Sequence, residues 1–178
     1  AEPVSAATGI HIPPPAYWHR LREIADTYDI VLIADEVING FGRLGTWFGA
    51  ERFGIQSDVT TVAKAITSGY LPLGAAIATK KIADTFIGDD SRTFKHLITF
   101  GGHPVSSAAA IKNLEIFKRE DLVGNSDRMG TYLYEQLQSL YEHPSVGDVR
   151  GGMGLIAAVE LVSDRETKAS FPVVAPPI

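Results

Sequence analysis

Two short aliphatic and β-branched runs, Ile30-Val31-Leu32-Ile33-Ala34 and Val59-Thr60-Thr61-Val62-Ala63, set the strongest limit on what this chain can fold into. The first is continuously apolar rather than alternating, the pattern of a strand covered on both faces, as in parallel α/β sheets. Before it, Pro13-Pro14-Pro15 leads into a helical stripe of Trp18, Leu21, Ile24, Ala25 and Tyr28. After the second run, Gly74-Ala75-Ala76-Ile77-Ala78 reads as a small-residue strand. Helices are expected from about Val105 to Lys118 and from Ser126 to Tyr141, the latter with Met129, Leu133, Leu137 and Leu140 on one face. This alternation of strands and helices predicts an α/β architecture.

Past His143-Pro144 the texture changes. Val146 to Val149, a glycine-rich turn and Leu155 to Leu161 read as a hairpin-like strand pair. The expected division is therefore one domain over residues 1–143 and the opening of a second over 144–178. The chain starts at Ala1-Glu2-Pro3-Val4 without a methionine and stops at the apolar Val173-Val174-Ala175-Pro176-Pro177-Ile178, which reads as an incomplete chain.

Composition narrows the function classes. Of 178 residues, 45% are apolar and 21% charged, enough for a sizeable core in a globular protein. A net charge of −5 with no basic run offers no surface for nucleic acid or an anionic membrane. The absence of cysteine excludes disulfides and thiolate metal sites, and no metal site is expected. No apolar stretch approaches the roughly 20 residues that span a bilayer. No signal pattern opens the chain, so the cytoplasm is the expected compartment.

The two strand ends carry the candidate chemistry. The first run ends in Asp35-Glu36 and the second in Lys64, and ligands of open α/β sheets bind beyond the carboxyl ends of strands. A lysine there can form a Schiff base with a carbonyl carbon. A carboxylate beside it suits a cofactor with a basic ring nitrogen, such as pyridoxal 5′-phosphate (PLP). The plainer alternative is that Lys64 reaches out to water while Asp35 caps the loop or pairs with Arg43. A competing motif is Gly40-Phe41-Gly42-Arg43-Leu44-Gly45, which matches the dinucleotide pattern G-x-G-x-x-G of a nicotinamide dehydrogenase. That mechanism needs the glycines directly between a strand and a helix. Here they start five residues past Asp35, and Thr46-Trp47-Phe48-Gly49-Ala50 is a poor helix start, so the spacing favours a loop that needs glycine dihedrals.

Several segments taken in order resemble one family. They are Glu2-Pro3-Val4, Pro13-Pro14, Leu32-Ile33-Ala34-Asp35-Glu36-Val37 with Gly40-Phe41-Gly42-Arg43, Ala63-Lys64 before Ser68-Gly69-Tyr70-Leu71-Pro72-Leu73-Gly74-Ala75, and Thr99 ahead of Gly102-His103-Pro104-Val105. Together, from residue 1 to about residue 162, they resemble the class III aminotransferases, PLP enzymes of fold type I, and within them the ω-transaminase branch. The resemblance implies a large-domain sheet, mixed or mostly parallel, with helices and the start of a small α+β C-terminal domain. It implies that Lys64 holds PLP as a Schiff base and then moves a proton, that Asp35 partners the pyridine nitrogen, and that Val37 packs on the ring. Glu2 is similar to a glutamate that bonds around the ring or pairs with an arginine. Thr99 is similar to a threonine that reaches the cofactor phosphate of a neighbouring subunit, which implies a homodimer with shared active sites. Arg43 is left between a loop ion pair and a substrate role, and His103 is read as shaping a helix entry.

The implied reaction moves an amino group from an amine or ω-amino acid to a keto acid, pyruvate foremost. An aminomutase of the glutamate-semialdehyde type is the alternative within the fold; a dehydrogenase using Gly40 to Gly45 and a non-catalytic relic stand outside it. The chain departs from the family pattern at Ala65, Asn39, Ser5-Ala6-Ala7-Thr8-Gly9 and His96-Leu97, each a bulkier or different residue near the cofactor. The family's phosphate-cradling helix, second ring-stacking aromatic and substrate-carboxylate arginine are not matched here, so residues 1–178 alone are not expected to turn over. Val174-Ala175-Pro176-Pro177 resembles a segment lying later in such proteins, as if residues between Lys168 and Val173 were missing.

Overall fold

The computed structural model describes residues 1–172. The resemblance of Val174 to Pro177 to a later segment, and the suspected gap running up to Val173, therefore lie outside the described residues in whole or part. Pro13 to Pro15 pre-set the backbone for helix α1 (Ala16–Thr27), whose Trp18 and Ala25 are buried, with Leu21 and Ile24 half-buried. Tyr28, expected on the same stripe, is exposed, because the helix ends there and the chain turns through Asp29 at φ +52°. Trp18 Nε1 donates to the Pro3 carbonyl at 3.2 Å, so the helix is pinned to the first residues of the chain.

Strand β1 (Ile33–Asp35) leads through a long loop and the one-turn helix α2 (Gly49–Arg52) to β2 (Val59–Val62). A 3₁₀ turn (Lys64–Ile66) and a loop precede β3 (Ala75–Ala78), followed by the single-turn helix α3 (Lys80–Ala83). The three strands form one mixed sheet in the order β1-β2-β3, with β1 and β2 parallel and β3 antiparallel to β2. Asp35 lies level with Thr61, and Val62 with Ala75.

The first strand begins at Ile33 rather than Ile30, because Asp58 replaces the ladder partner of Leu32: Asp58 Oδ2 accepts the Leu32 N–H at 2.8 Å. Two-sided cover is also not met among the described residues. Ala34 is fully buried, but Ile30 and Val31 are 53% and 49% exposed and Ile33 is also exposed.

Asp58 also binds Arg22 of α1 at 2.8 Å, and Arg22 reaches Asp26 at 2.7 Å, so one carboxylate ties helix, strand entry and β2 together. The Arg22 hydrogen bond, then the Leu32 N–H, hold the Asp58 carboxyl below its usual range. Between its native and unfolded pKa values the unfolded chain therefore binds more protons, so this contribution grows as pH rises and is lost as pH falls through the native value. Asp58→Ala is expected to cost about 1–2 kcal/mol at neutral pH. The gap from the parent should close below about pH 4 in denaturant melts taken across pH.

Helix α4 (Pro104–Arg119) buries Ser106 and Ala110, and α5 (Leu122–Leu137) buries Ser126 and Gly130 before continuing as a 3₁₀ turn to Glu142. The expected apolar face of this helix and its 3₁₀ extension is packed only in part: Leu137 and Leu140 are half-buried, while Met129 and Leu133 are exposed. The closest approach falls at Gly130, where the Gly154 backbone comes so close that a β-carbon would overlap it. Small residues therefore define the crossing.

The hairpin-like pair is present as antiparallel β4 (Val146–Arg150) and β5 (Ala158–Leu161). Its approach buries Ile156 against Val4, Ile10 and Leu44, with Phe53, Met153 and Ala158 around them. Arg150 donates to the Gly9 carbonyl at 2.7 Å and pairs with Asp148 and Glu160, tying the hairpin to the start of the chain. No helix among the described residues is long and apolar enough to cross a membrane.

Candidate active site

Parallel pairing of β1 and β2 brings their carboxyl ends side by side, with Asp35 as the last residue of one and Lys64 two residues past the other. Asp35 Oδ1 accepts the Val37 N–H at 3.1 Å and the Thr61 hydroxyl at 3.2 Å. Its second oxygen has no partner among the described residues. The carboxylate is thus oriented through one oxygen with the other left for a ligand.

Lys64 begins the 3₁₀ turn with φ +48°, in the left-handed region where a β-carbon costs on the order of 1–2 kcal/mol. Its side chain is exposed and makes no ion pair among the described residues. Non-glycine residues held in this region cluster at functional sites, where the surrounding structure enforces them. Lys64 opens onto a cleft of about 490 Å³ whose walls include Val37, Phe41, Arg43, Ala65 and Phe117. It also borders a second hollow of about 390 Å³ beside Tyr70 and Leu71.

The loop that forms the cleft wall is fixed by Glu36 and by Asn39, a departure from the family pattern, and the sequence alone gives neither of them this clamping role. Glu36 is fully buried and accepts the N–H groups of Gly49 and Ala50 at 2.8 and 2.7 Å, closing the loop over residues 36–50. Burial pushes the Glu36 carboxyl up, opposed by those two N–H groups. Asn39 is also fully buried: its Oδ1 accepts from Val4 N–H at 3.3 Å and its Nδ2 donates to the Val4 carbonyl at 3.1 Å. The available signal was a second acid directly after Asp35, and an amide in an otherwise apolar and glycine stretch.

The Gly40 to Gly45 loop does not make a dinucleotide cradle. The Phe41 and Gly42 N–H groups donate to the Trp47 and Thr46 carbonyls, and the Gly45 N–H to Gly42, so these donors are used inside the loop. No helix follows until Gly49, and Gly42 and Gly45 take φ +88° and +79°, the dihedrals for which glycine is suited. Arg43 makes neither the loop ion pair nor a bond to Asp35: its Nη1 donates to the Leu155 carbonyl at 2.7 Å.

Two other sequence candidates, like Asp35 itself, are not among the residues that line the cleft. Glu2 is half-buried and accepts the Ala6 N–H at 3.1 Å, with no arginine on it among the described residues. Thr99 lies in an exposed turn rather than on a strand. His103 precedes α4, as expected of a residue shaping the helix entry, with its ring 6.0 Å from that of Phe100 and its Nδ1 buried without a partner among the described residues. No group of three histidine, aspartate or glutamate side chains able to hold a metal occurs among the described residues.

Residues 1–175 match the family described as aminotransferase class III. Among curated proteins the chain is 45% identical over 171 residues to taurine–pyruvate aminotransferase of Bilophila wadsworthia, covering 94% of this chain and 37% of that one. It is 41% identical over 172 residues to putrescine–pyruvate aminotransferase of Pseudomonas aeruginosa, covering 96% and 37%. The chain thus spans under two-fifths of the length of these relatives.

Among solved structures it superposes on an (S)-enantioselective ω-transaminase of Thermomicrobium roseum with a TM-score of 0.92 at 46% identity, over 97% of this chain and 38% of the other. A Bacillus anthracis aminotransferase gives 0.94 at 43%, over 97% and 39%. These matches fix the fold as that of the aminotransferases, with its mixed α/β sheet. With an amine and a half-engaged carboxylate at neighbouring strand ends of that fold, the chain belongs to the class III aminotransferases.

Proposed function

We propose that the full-length protein is a PLP-dependent transaminase that moves an amino group from an amine or ω-amino acid to a keto acid, with pyruvate as acceptor. The observation that carries this is the placement of the Lys64 amine and the free Asp35 oxygen near the carboxyl ends of adjacent parallel strands. The residues present fit PLP: Lys64 Nζ would hold its carbonyl carbon, Asp35 its ring nitrogen, and Val37, on the cleft wall, one ring face. When bound, PLP supplies an electron sink for the pair left behind as a substrate carbon loses its proton. Lys64 Nζ would take that proton and return it to the cofactor carbon, and no carboxylate among the described residues holds the amine in an ion pair. Both curated relatives named above carry pyruvate in their names, which supports that acceptor.

Thr99 is proposed to reach the cofactor phosphate across a homodimer, and its exposed turn beside Leu97, which is 99% exposed, supports a role outside its own cleft. Glu2 is proposed to act near the ring through the first turn of the chain. The division at residue 143 and a cytoplasmic location belong to the same reading. The test is a panel of amine donors, taurine, putrescine and β-alanine among them, incubated with full-length protein, PLP and pyruvate. Alanine formed in step with loss of donor is the expected result. No alanine from any donor, in a protein that takes up no PLP, would overturn the proposal.

A further inference from the structure

We propose that Asn113 is the residue that sets the position of the Lys64 amine. It acts by clamping the turn that Lys64 begins and is a positioning residue, not a group that touches substrate. This inference rests on Lys64 being the lysine that holds the cofactor. The turn contains two non-glycine residues with left-handed backbones, Lys64 at φ +48° and Ser68 at φ +49°. Conformations of this kind persist only where the surroundings over-determine them. The turn's own bonds, Thr67 N–H to Lys64 O and Ser68 N–H to Ala65 O, both 3.2 Å, would close any 3₁₀ turn and do not select a left-handed entry.

The constraint from another element is a side-chain amide on α4. Asn113 Nδ2 donates to the carbonyls of Ala65 at 2.8 Å and Ile66 at 3.0 Å. Its Oδ1 accepts from the Ser68 hydroxyl at 2.8 Å. Carbonyls only accept, so the amide must face them with its nitrogen, and its orientation follows from chemistry. Both amide hydrogens and one lone pair are spent on residues 65, 66 and 68, which fixes the roll of the turn. That roll sets the direction in which the Lys64 side chain leaves the backbone.

The placement of Asn113 on its helix supports the same conclusion. It continues the stripe of Ser106, Ala110 and Phe117, of which the first two are buried and the last lines the Lys64 cleft. Asparagine is a poor residue for a helix interior and prefers to bond to nearby backbone. Its presence on the packed face is explained by the turn it holds.

The test uses the full-length protein and three variants: Asn113→Ala, Ser68→Ala, which removes one of the three bonds, and Lys112→Ala, which changes an exposed neighbour paired with Glu115. Two readouts are taken: the pH midpoint of the visible absorbance of bound PLP, and the rate at which apoprotein given PLP takes borohydride-trapped label at Lys64. Asn113→Ala is expected to move the midpoint by about one pH unit and to slow labelling about tenfold, equal shifts in free energy. Ser68→Ala should move both in the same direction by less, and Lys112→Ala neither. A folded Asn113→Ala protein with the parent's midpoint and rate would overturn the inference. If that variant does not fold, a Ser68→Ala protein matching the parent on both readouts would do so. A parent that takes no label at Lys64 gives a different result, overturning the lysine assignment and this inference with it.

Discussion

Lys64→Gly in the full-length protein is expected to lower turnover by about four orders of magnitude, the upper end of what a positioned proton-transfer group contributes. The covalent hold on the cofactor goes with it, while the fold stays as stable as the parent. The separation follows from the backbone. Lys64 sits at φ +48°, so glycine relieves a strain of about 1–2 kcal/mol. The added flexibility of the unfolded chain offsets about 0.5–1 kcal/mol of that. The side chain itself is exposed and contributes no ion pair among the described residues, so its loss opens no cavity. A residue kept in a conformation that glycine would prefer, at no gain to stability, is retained for its amine. Steady-state kinetics and thermal melting on the same preparations check both halves of the prediction.

Asp35→Asn is expected to reduce kcat by about 10²–10³, the scale for removing one well-placed electrostatic partner. The amide still accepts the Val37 N–H and Thr61 hydroxyl through Oδ1, so orientation and folding survive. The change lies at the other atom. An N–H₂ group replaces the free oxygen and meets a protonated ring nitrogen donor to donor, so the ring loses its proton and its capacity to accept electrons. The expected signature is a slow first half-reaction with amine donor and normal melting. Activity within twofold of the parent would show that Asp35 is not the ring partner.

The chemistry-bearing positions were legible in the sequence because strand ends and ordered motifs are local signals. Asp35 and Lys64 could be placed from the apolar runs that precede them, and the helices from stripes such as Trp18, Leu21 and Ala25. The glycine loop was also legible as a loop, since no helix starts directly after Gly45. What holds these groups in place was not legible. Glu36 reaches the N–H groups of residues 49 and 50, and Asn39 clamps Val4 across 35 residues. Asn113 reaches the turn after Lys64 from a separate helix. Periodicity says nothing about contacts that a fold creates between distant segments.

Helix α5 shows the same limit from the other direction. Hydrophobicity pointed to Met129, Leu133, Leu137 and Leu140, of which the last two are half-buried and the first two exposed, while the closest approach falls at Gly130, where the absence of a side chain lets the Gly154 backbone in. The expected two-sided burial of the first strand failed for a related reason. A continuous apolar run reports what a strand is suited to, and Ile30, Val31 and Ile33 remain exposed among the described residues.

The most direct measurement is borohydride reduction of the full-length protein loaded with PLP, followed by proteolysis and mass mapping of the pyridoxyl group. The label is expected on Lys64 alone, and adding an amine donor before the reductant should remove it. A label on another lysine, Lys80 or Lys81 for example, or a protein that retains no label, would contradict the assignment on which the account rests.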